Sequence, residues 1–359
     1  MRISVIPNGV DTTKFKPMNR KRIVEWFERR FCDLDDDLNV LYVGRFSEEK
    51  GVVYLIKSLN YLDKGRLFLV GSGPQEPMLK DVARKFKDRV YFLGRVKHDD
   101  MPMVYNAMDV FVLPSLTEGF PNSMLEALAC GLPVVVTPVG AIPEVVRPEM
   151  GVIVELRNAK AIAEGIGKVR DLNRKKIHSI VRANYSFEVV AGRIYGLYSE
   201  VLGYPPNDIC FASLFAPPYE LSGVGMQVFE LSKALAKRCR VKILCGIGGD
   251  KELDNIGFIK VKCLNGLLSR PTYSITGIVK IVGKYRFDVV DGRNWEGGLI
   301  ALASKKKGSR AIMSLRGEGA IGRALWKRSI NRFIMQRVDC VTVTDKRTAK
   351  MAKDLIMNG

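Results

Sequence analysis

The sequence is short of the residues from which many enzyme sites are built. Only two histidines, His98 and His178, occur in 359 residues, too few for most histidine-based metal centres. None of the seven cysteines stands in C-x-x-C spacing, and their number is odd. They read as buried free thiols of a reducing compartment rather than as a disulfide or zinc framework. No uninterrupted apolar run approaches the ~20 residues of a membrane-spanning helix. The opening residues, broken up by Arg2, Pro7, Asn8 and Asp11, do not read as a secretory signal. The expectation is a cytoplasmic protein that can touch a membrane surface. A complete G-x-G-x-x-G fingerprint is absent, because Pro74-Gln75-Glu76 follows Gly73, and no Walker lysine and serine pair appears.

What is abundant is positive charge and apolar residues. With 47% hydrophobic residues the chain is globular in composition, and its length suggests two domains. The net charge is +19. From residue 205 onward there are 27 basic and 13 acidic residues, or +14, against 30 and 25, or +5, before it. The second half should therefore attract anions: phosphate groups, nucleic acid or an acidic lipid surface. A basic surface also serves solubility, but its uneven distribution favours a ligand. Nucleic acid requires basic residues interleaved with exposed aromatics, and no such stripe is organised here.

Short apolar runs recur between helical stretches. "NVLYVG" (39–44), "RLFLVG" (66–71), "RVYFLG" (89–94), "DVFVLP" (109–114), "PVVVTP" (133–138) and "GVIVE" (151–155) are bounded by Gly or Pro, as buried parallel strands are. The second half repeats the scheme with "DICFASLF" (208–215), "RVKILCG" (240–246), "FDVVDG" (287–292), "RAIMSLRG" (310–317) and "DCVTVT" (339–344). Tyr204-Pro205-Pro206 cannot continue the intervening helix and marks a boundary. Two Rossmann-like α/β halves facing each other would bind a ligand in a cleft at the carboxyl ends of their strands.

Three stretches can carry chemistry. "GRFSEEKG" (44–51) follows a strand and places Arg45 and Lys50 near a helix N-terminus, which favours phosphate; surface solvation is the plainer reading of that loop alone. "VGSGPQ" (70–75) adds Gly71, Gly73 and free backbone N–H groups. "LPSLTEGFPNSMLEALACGLPVV" (113–135) places Glu118 before a helix starting near Asn122 and Glu126 one turn into it. Either carboxylate can grip a vicinal diol; taken singly, Glu118 solvates a loop and Glu126 is a carboxylate early in a helix. Together with the basic groups they favour a nucleotide ligand.

At these residues the chain resembles the retaining glycosyltransferases of family 4, which have the GT-B fold. "TEGFPNSMLEALACGLPVV" is similar to their E-x7-E signature, and "YVGRFSEEKG" to their diphosphate-binding loop; "VGSGP", "YNAMDVFVLPS" and "TPVGAIPEVV" follow in family order. The resemblance implies a nucleotide-sugar donor (UDP-, GDP- or ADP-linked) and no obligatory metal. Arg45 and Lys50 would neutralise the diphosphate, with Gly44, Gly71 and Gly73 beside it. Glu126 would hold the ribose, Glu118 would contact the transferred sugar, and Asn122 and Ser123 would meet phosphate and sugar. "DLDDDL" (33–38) reads as a solvated turn and not as the acidic metal motif of other glycosyltransferases. In the second half, Ser222-Gly223-Val224-Gly225 resembles the family's glycine-rich loop, so Gly223 and Gly225 would face ligand. The acceptor would be a saccharide or a lipid-linked, phosphate-bearing molecule, with an anionic membrane surface nearby and no nucleic acid.

The chain departs from the family in two ways. Arg316-Gly317, followed by Glu318, stands where the family has histidine and glycine, and the upstream family histidine is absent from "FDVVDGRNWEGG" (287–298). Arginine cannot be a general base, but it can stabilise phosphate or an anionic sugar. Arg316 therefore implies an acidic sugar or phosphorylated acceptor, a variant site assisted by Glu318, or binding without catalysis. That last reading makes a nucleotide-sugar-binding regulator the rival function; an epimerase or phosphorylase of the same architecture is another. The second departure is order. "VIPNGVDTTKFKP" opens the donor domain in mid-chain in the family, yet it comes first here, so the chain reads as circularly permuted. The expected division is 1–185 for the donor domain, 186–204 for a crossover helix and linker, and 205–359 for the acceptor domain. One of the family's two interdomain crossings would be lost.

Overall fold

A computed structural model describes residues 2–34, 38–214, 223–247, 256–263, 269–315, 321 and 325–357. Asp35 to Asp37, Ser222, Arg316, Gly317 and Glu318 lie outside the described residues.

Thirteen strands among the described residues form two parallel sheets. The first contains β2 (Asn39–Val43), β3 (Arg66–Val70), β4 (Val90–Gly94), β5 (Val110–Leu113), β6 (Val134–Val136) and β7 (Gly151–Ile153), in the order β4-β3-β2-β5-β6-β7. The second is built from β1 (Arg2–Val5), β8 (Asp208–Ala212), β9 (Arg240–Cys245), β10 (Ile256–Lys260), β11 (Val289–Arg293), β12 (Arg310–Leu315) and β13 (Cys340–Val343). Its order is β1-β13-β12-β11-β8-β9-β10. All pairings are parallel. The strands are near-continuous runs of Val, Leu, Ile and Phe because helices cover both faces. These are the two Rossmann-like sheets of a GT-B fold. In each sheet the order reverses beside its first central strand, between β2 and β5 and between β8 and β11, which is where open sheets bind ligands.

The chain divides into two compact units, Val10–Ser186 and the remainder, formed by residues up to Gly9 and from Phe187 on. This differs from the expected 1–185, 186–204 and 205–359 at both ends of the first domain. Residues 2–9 do not open the first sheet: β1 lies against β13 with Ile3 opposite Val341, and Ile6 N–H continues the pairing to the Val343 carbonyl. This strand order, with the first strand continuing the sheet beyond the last, is that of a circular permutation. Nor is the helix Phe187–Leu202 a linker. It buries Val190, Ile194, Leu197 and Tyr198 in a core shared with β8, β9 and the helix Gly223–Ala236.

The expected loss of one crossing is corrected by the same arrangement. The chain passes between units twice, at 9–10 and at 186–187. Val10 bridges Ser186 in parallel, and its N–H donates to the Tyr185 carbonyl at 2.8 Å.

Candidate active site

The first switch point is held together by glycines. Gly44 N–H donates to the Val70 carbonyl at 3.0 Å, Gly71 N–H to that of Gly94 at 2.8 Å, and Phe46 N–H to that of Ser72 at 3.0 Å. A Cβ on Gly71, whose φ is +136°, would collide with the Gly44 carbonyl oxygen, and one on Gly73 with the backbone of Phe46. The loops after β2 and β3 are thus locked together, which is a packing reason for both glycines. Gly51, at φ +62°, lets the same loop meet the Pro114 carbonyl after β5, and Leu116 N–H donates to the Glu49 carbonyl at 2.7 Å.

Across that seam, Lys50 Nζ meets Glu118 Oε1 at 2.6 Å, the lysine side chain 23% and the glutamate side chain 8% exposed. Ser115 Oγ donates to the same oxygen at 2.7 Å. Two further contacts fix the Glu118 loop: Thr137 Oγ1 donates to the Ser115 carbonyl at 2.5 Å, and Ala141 N–H to that of Gly119 at 2.9 Å. Arg45 is exposed, and its carbonyl accepts from the Tyr42 hydroxyl at 2.9 Å. Burial, with the Glu118 and Glu49 carboxylates adding to it, pushes the Tyr42 phenol well above its ordinary value, so it stays a neutral donor.

Glu126 lies in a second cluster. The helix Asn122–Ala129 begins at Asn122 and Ser123 and carries Glu126 one turn in. Tyr105 OH donates to Glu126 Oε2 at 2.9 Å, and His98 Nε2 stands 3.1 Å from Oε1. His98 Nδ1 is 3.0 Å from Lys14 Nζ, which also donates to Asp99 at 2.7 Å. Burial and then the Glu126 charge raise the Tyr105 phenol well above its usual value. The sequence reading missed His98, Tyr105, Ser115 and Lys14. For His98 a signal was available: it follows the carboxyl end of β4, the edge where ligands bind.

In the second unit Gly223 opens the helix Gly223–Ala236 and Gly225 is buried in it; Arg316 falls outside the described residues. Buried charge sits at the carboxyl end of β11 and just beyond it. Arg293, 3% exposed, stacks on Phe211 with 5.0 Å to the ring centroid and lies 3.3 Å from Asp291 Oδ2. Asp291 already accepts from Tyr198 and Ser314 at 2.6 Å each. Arg293 Nε and Nη2, Trp295 Nε1 and Glu296 Oε2 are buried without a hydrogen-bond partner. Glu296 pairs through Oε1 with Arg270 at 3.1 Å. Among the described residues no group of three or more His, Cys, Asp or Glu side chains is placed to hold a metal ion.

Residues 37–171 match the family described as Glycosyl transferases group 1, and residues 221–357 match Glycosyltransferase Family 4. The chain is a GT-B-fold relative of these two glycosyltransferase families, with the group 1 region placed first. It is 31% identical over 222 residues to an uncharacterized glycosyltransferase of Methanocaldococcus jannaschii, covering 56% of each chain. Over 202 residues it is 32% identical to the Escherichia coli UDP-Gal:alpha-D-GlcNAc-diphosphoundecaprenol alpha-1,3-galactosyltransferase, covering 54% of this chain and 50% of that one. The chain thus spans about half the length of the curated relatives it matches. Anabaena HepE, solved in complex with UDP-glucose, shares the fold with a TM-score of 0.50 at 23% identity, over 55% of this chain and 57% of that one.

Proposed function

We propose that the protein transfers a sugar from a nucleotide diphosphate donor to a hydroxyl acceptor with retention of anomeric configuration. The observation that carries this reading is the Lys50–Glu118 pair at the first switch point, held in place by loops from three strands. Arg45 and Lys50 neutralise the donor diphosphate, and Gly44, Gly71 and Gly73 shape the floor beneath it. The Asn122 and Ser123 backbone meets a phosphate, Glu126 holds the ribose diol, and Glu118 contacts the transferred sugar. The C1–O bond to the leaving phosphate breaks as the acceptor oxygen bonds to C1 on the same face. The acceptor proton passes to the departing phosphate oxygen. Fixed cations beside that developing charge supply most of the stabilisation.

The acceptor in this reading bears phosphate or a lipid-linked phosphate and is held by the second unit, with Gly223, Gly225 and Arg316 as its proposed contacts. Support comes from the +14 charge excess after residue 205. The diphosphoundecaprenol substrate in the name of the Escherichia coli relative agrees with it, as does the buried Arg293 Nε, which has no hydrogen-bond partner. The protein works in the cytoplasm, peripheral to an anionic membrane surface; among the described residues no helix is long and apolar enough to cross one.

Titration with UDP-, GDP- and ADP-sugars tests the reading. One donor class should bind selectively and be hydrolysed slowly without acceptor, and NMR of the transfer product should show the donor's anomeric configuration. Failure to bind any of them would sink it. Binding without turnover on any acceptor would assign the chain to regulation, and an altered free nucleotide sugar to epimerisation.

A further inference from the structure

We infer that one helical layer of the second unit, the helices Ser269–Lys284 and Leu325–Met335, is a docking face for an anionic lipid bilayer. The inference sharpens the peripheral location proposed above and is independent of sugar transfer. Both helices pack against the helix Asn294–Ser304 that lies between them, so they share one face of the second sheet. The first buries Tyr273, Gly277 and Ile281 inward and turns Ile275 and Val279 outward, 62% and 67% exposed. The second exposes Trp326 and Phe333 by 52% and 46%. A groove of about 1080 Å³ beside Ile275 and Val279 is floored by Val261 and rimmed by Lys260, Lys262 and Lys280.

Charge decides what covers this face. Residues 256–263, 269–284 and 325–337 contain no Asp or Glu but carry nine Lys and Arg. A protein partner rich in acid would satisfy the cations but leave separated apolar side chains facing water. A bilayer of anionic lipid satisfies both at once: headgroups meet the cations, and the acyl boundary takes Ile275 and Val279. Trp326 is placed to sit at headgroup level. The groove has the size and apolar floor to accept part of an acyl chain.

Cosedimentation of the full chain, without nucleotide sugar, with vesicles of phosphatidylcholine alone or mixed with phosphatidylglycerol tests this. Binding should require phosphatidylglycerol, weaken as salt rises, and shift tryptophan emission to the blue through Trp326. The double variant Lys262→Glu/Lys280→Glu should lower partitioning by about tenfold or more. Ile275→Ser/Val279→Ser should lower it with little change in salt dependence. A charge-matched control on the other unit, Lys57→Glu/Lys168→Glu, should leave it nearly unchanged, which separates a docking face from net charge. All these side chains except the Trp326 ring lie free at the surface, so folding is not at stake. No binding to phosphatidylglycerol vesicles, or an equal loss in the control, overturns the proposal. So does face-dependent binding to a single-stranded oligonucleotide in place of vesicles. Because no donor or acceptor is present, failure here leaves the transfer reading to its own test.

Discussion

At the carboxyl edge of the first sheet, Lys50 and Glu118 meet at 2.6 Å with water still reaching the lysine, and Ser115 completes the pair. At the matching edge of the second sheet, Arg293, Asp291 and Glu296 are almost wholly buried, yet Arg293 and Glu296 keep atoms with no partner. The two edges share a topology and differ in how charge is settled. The first pairs its charges with one another before any ligand arrives, through geometry already in place. The second carries unmet hydrogen-bonding capacity, each such buried group costing about 1–3 kcal/mol. A ligand oxygen delivered there would find Arg293 Nε without a partner, while Nη2 already stands 3.3 Å from Asp291 Oδ2.

Breaking each edge should therefore look different. Arg293→Ala removes the cation beside a buried carboxylate and should lower stability by about 3–5 kcal/mol in denaturant unfolding, while donor binding to the other unit persists. A loss near zero would mean that the Tyr198 and Ser314 hydrogen bonds suffice for Asp291, and the contrast would fall. Lys50→Ala should act mainly on rate instead: about 10²–10³-fold in donor turnover, with a smaller loss of stability than at Arg293, because water already reaches the 23%-exposed lysine side chain and can take its place beside Glu118. A large stability loss with unaltered turnover would reverse the comparison.

The smallest effect concerns pH. Burial raises the Glu296 carboxyl above its ordinary value, against the pull of Arg270 and Lys327. The folded chain then holds more protons than the unfolded one between the ordinary carboxylate value and the raised one. Stability should fall as pH rises through that window. Melting temperatures recorded across it should slope downward in the native chain relative to Glu296→Gln; an upward slope would show that Arg270 outweighs burial.

Strand patterns such as "NVLYVG" and "RVKILCG" were legible because a strand buried on both faces must be apolar throughout. The pattern says nothing of which sheet a strand joins, and "RISV" was misplaced for that reason: its partner β13 lies at the far end of the sequence. β10 was missed because "IGFIK" mixes glycine and lysine at a sheet edge, where one flank needs no apolar neighbour. At the site, Lys50 and Glu118 were found from their loops. The ring around Glu126 was not, since Tyr105 reads as one more core aromatic until its hydroxyl is seen to reach a carboxylate.

The pairing of β1 with β13 also sets a timetable. Residues 10–186 are contiguous and can fold while the rest is still being made, since domains generally fold as units during synthesis. β1 is made before them and its neighbour after nearly everything else. Until Cys340–Val343 is in place, the strand Arg2–Val5 has no mate for its backbone, and so long a loop closure slows the final step. Of the described strands, the earliest in the chain is the last to find its seat.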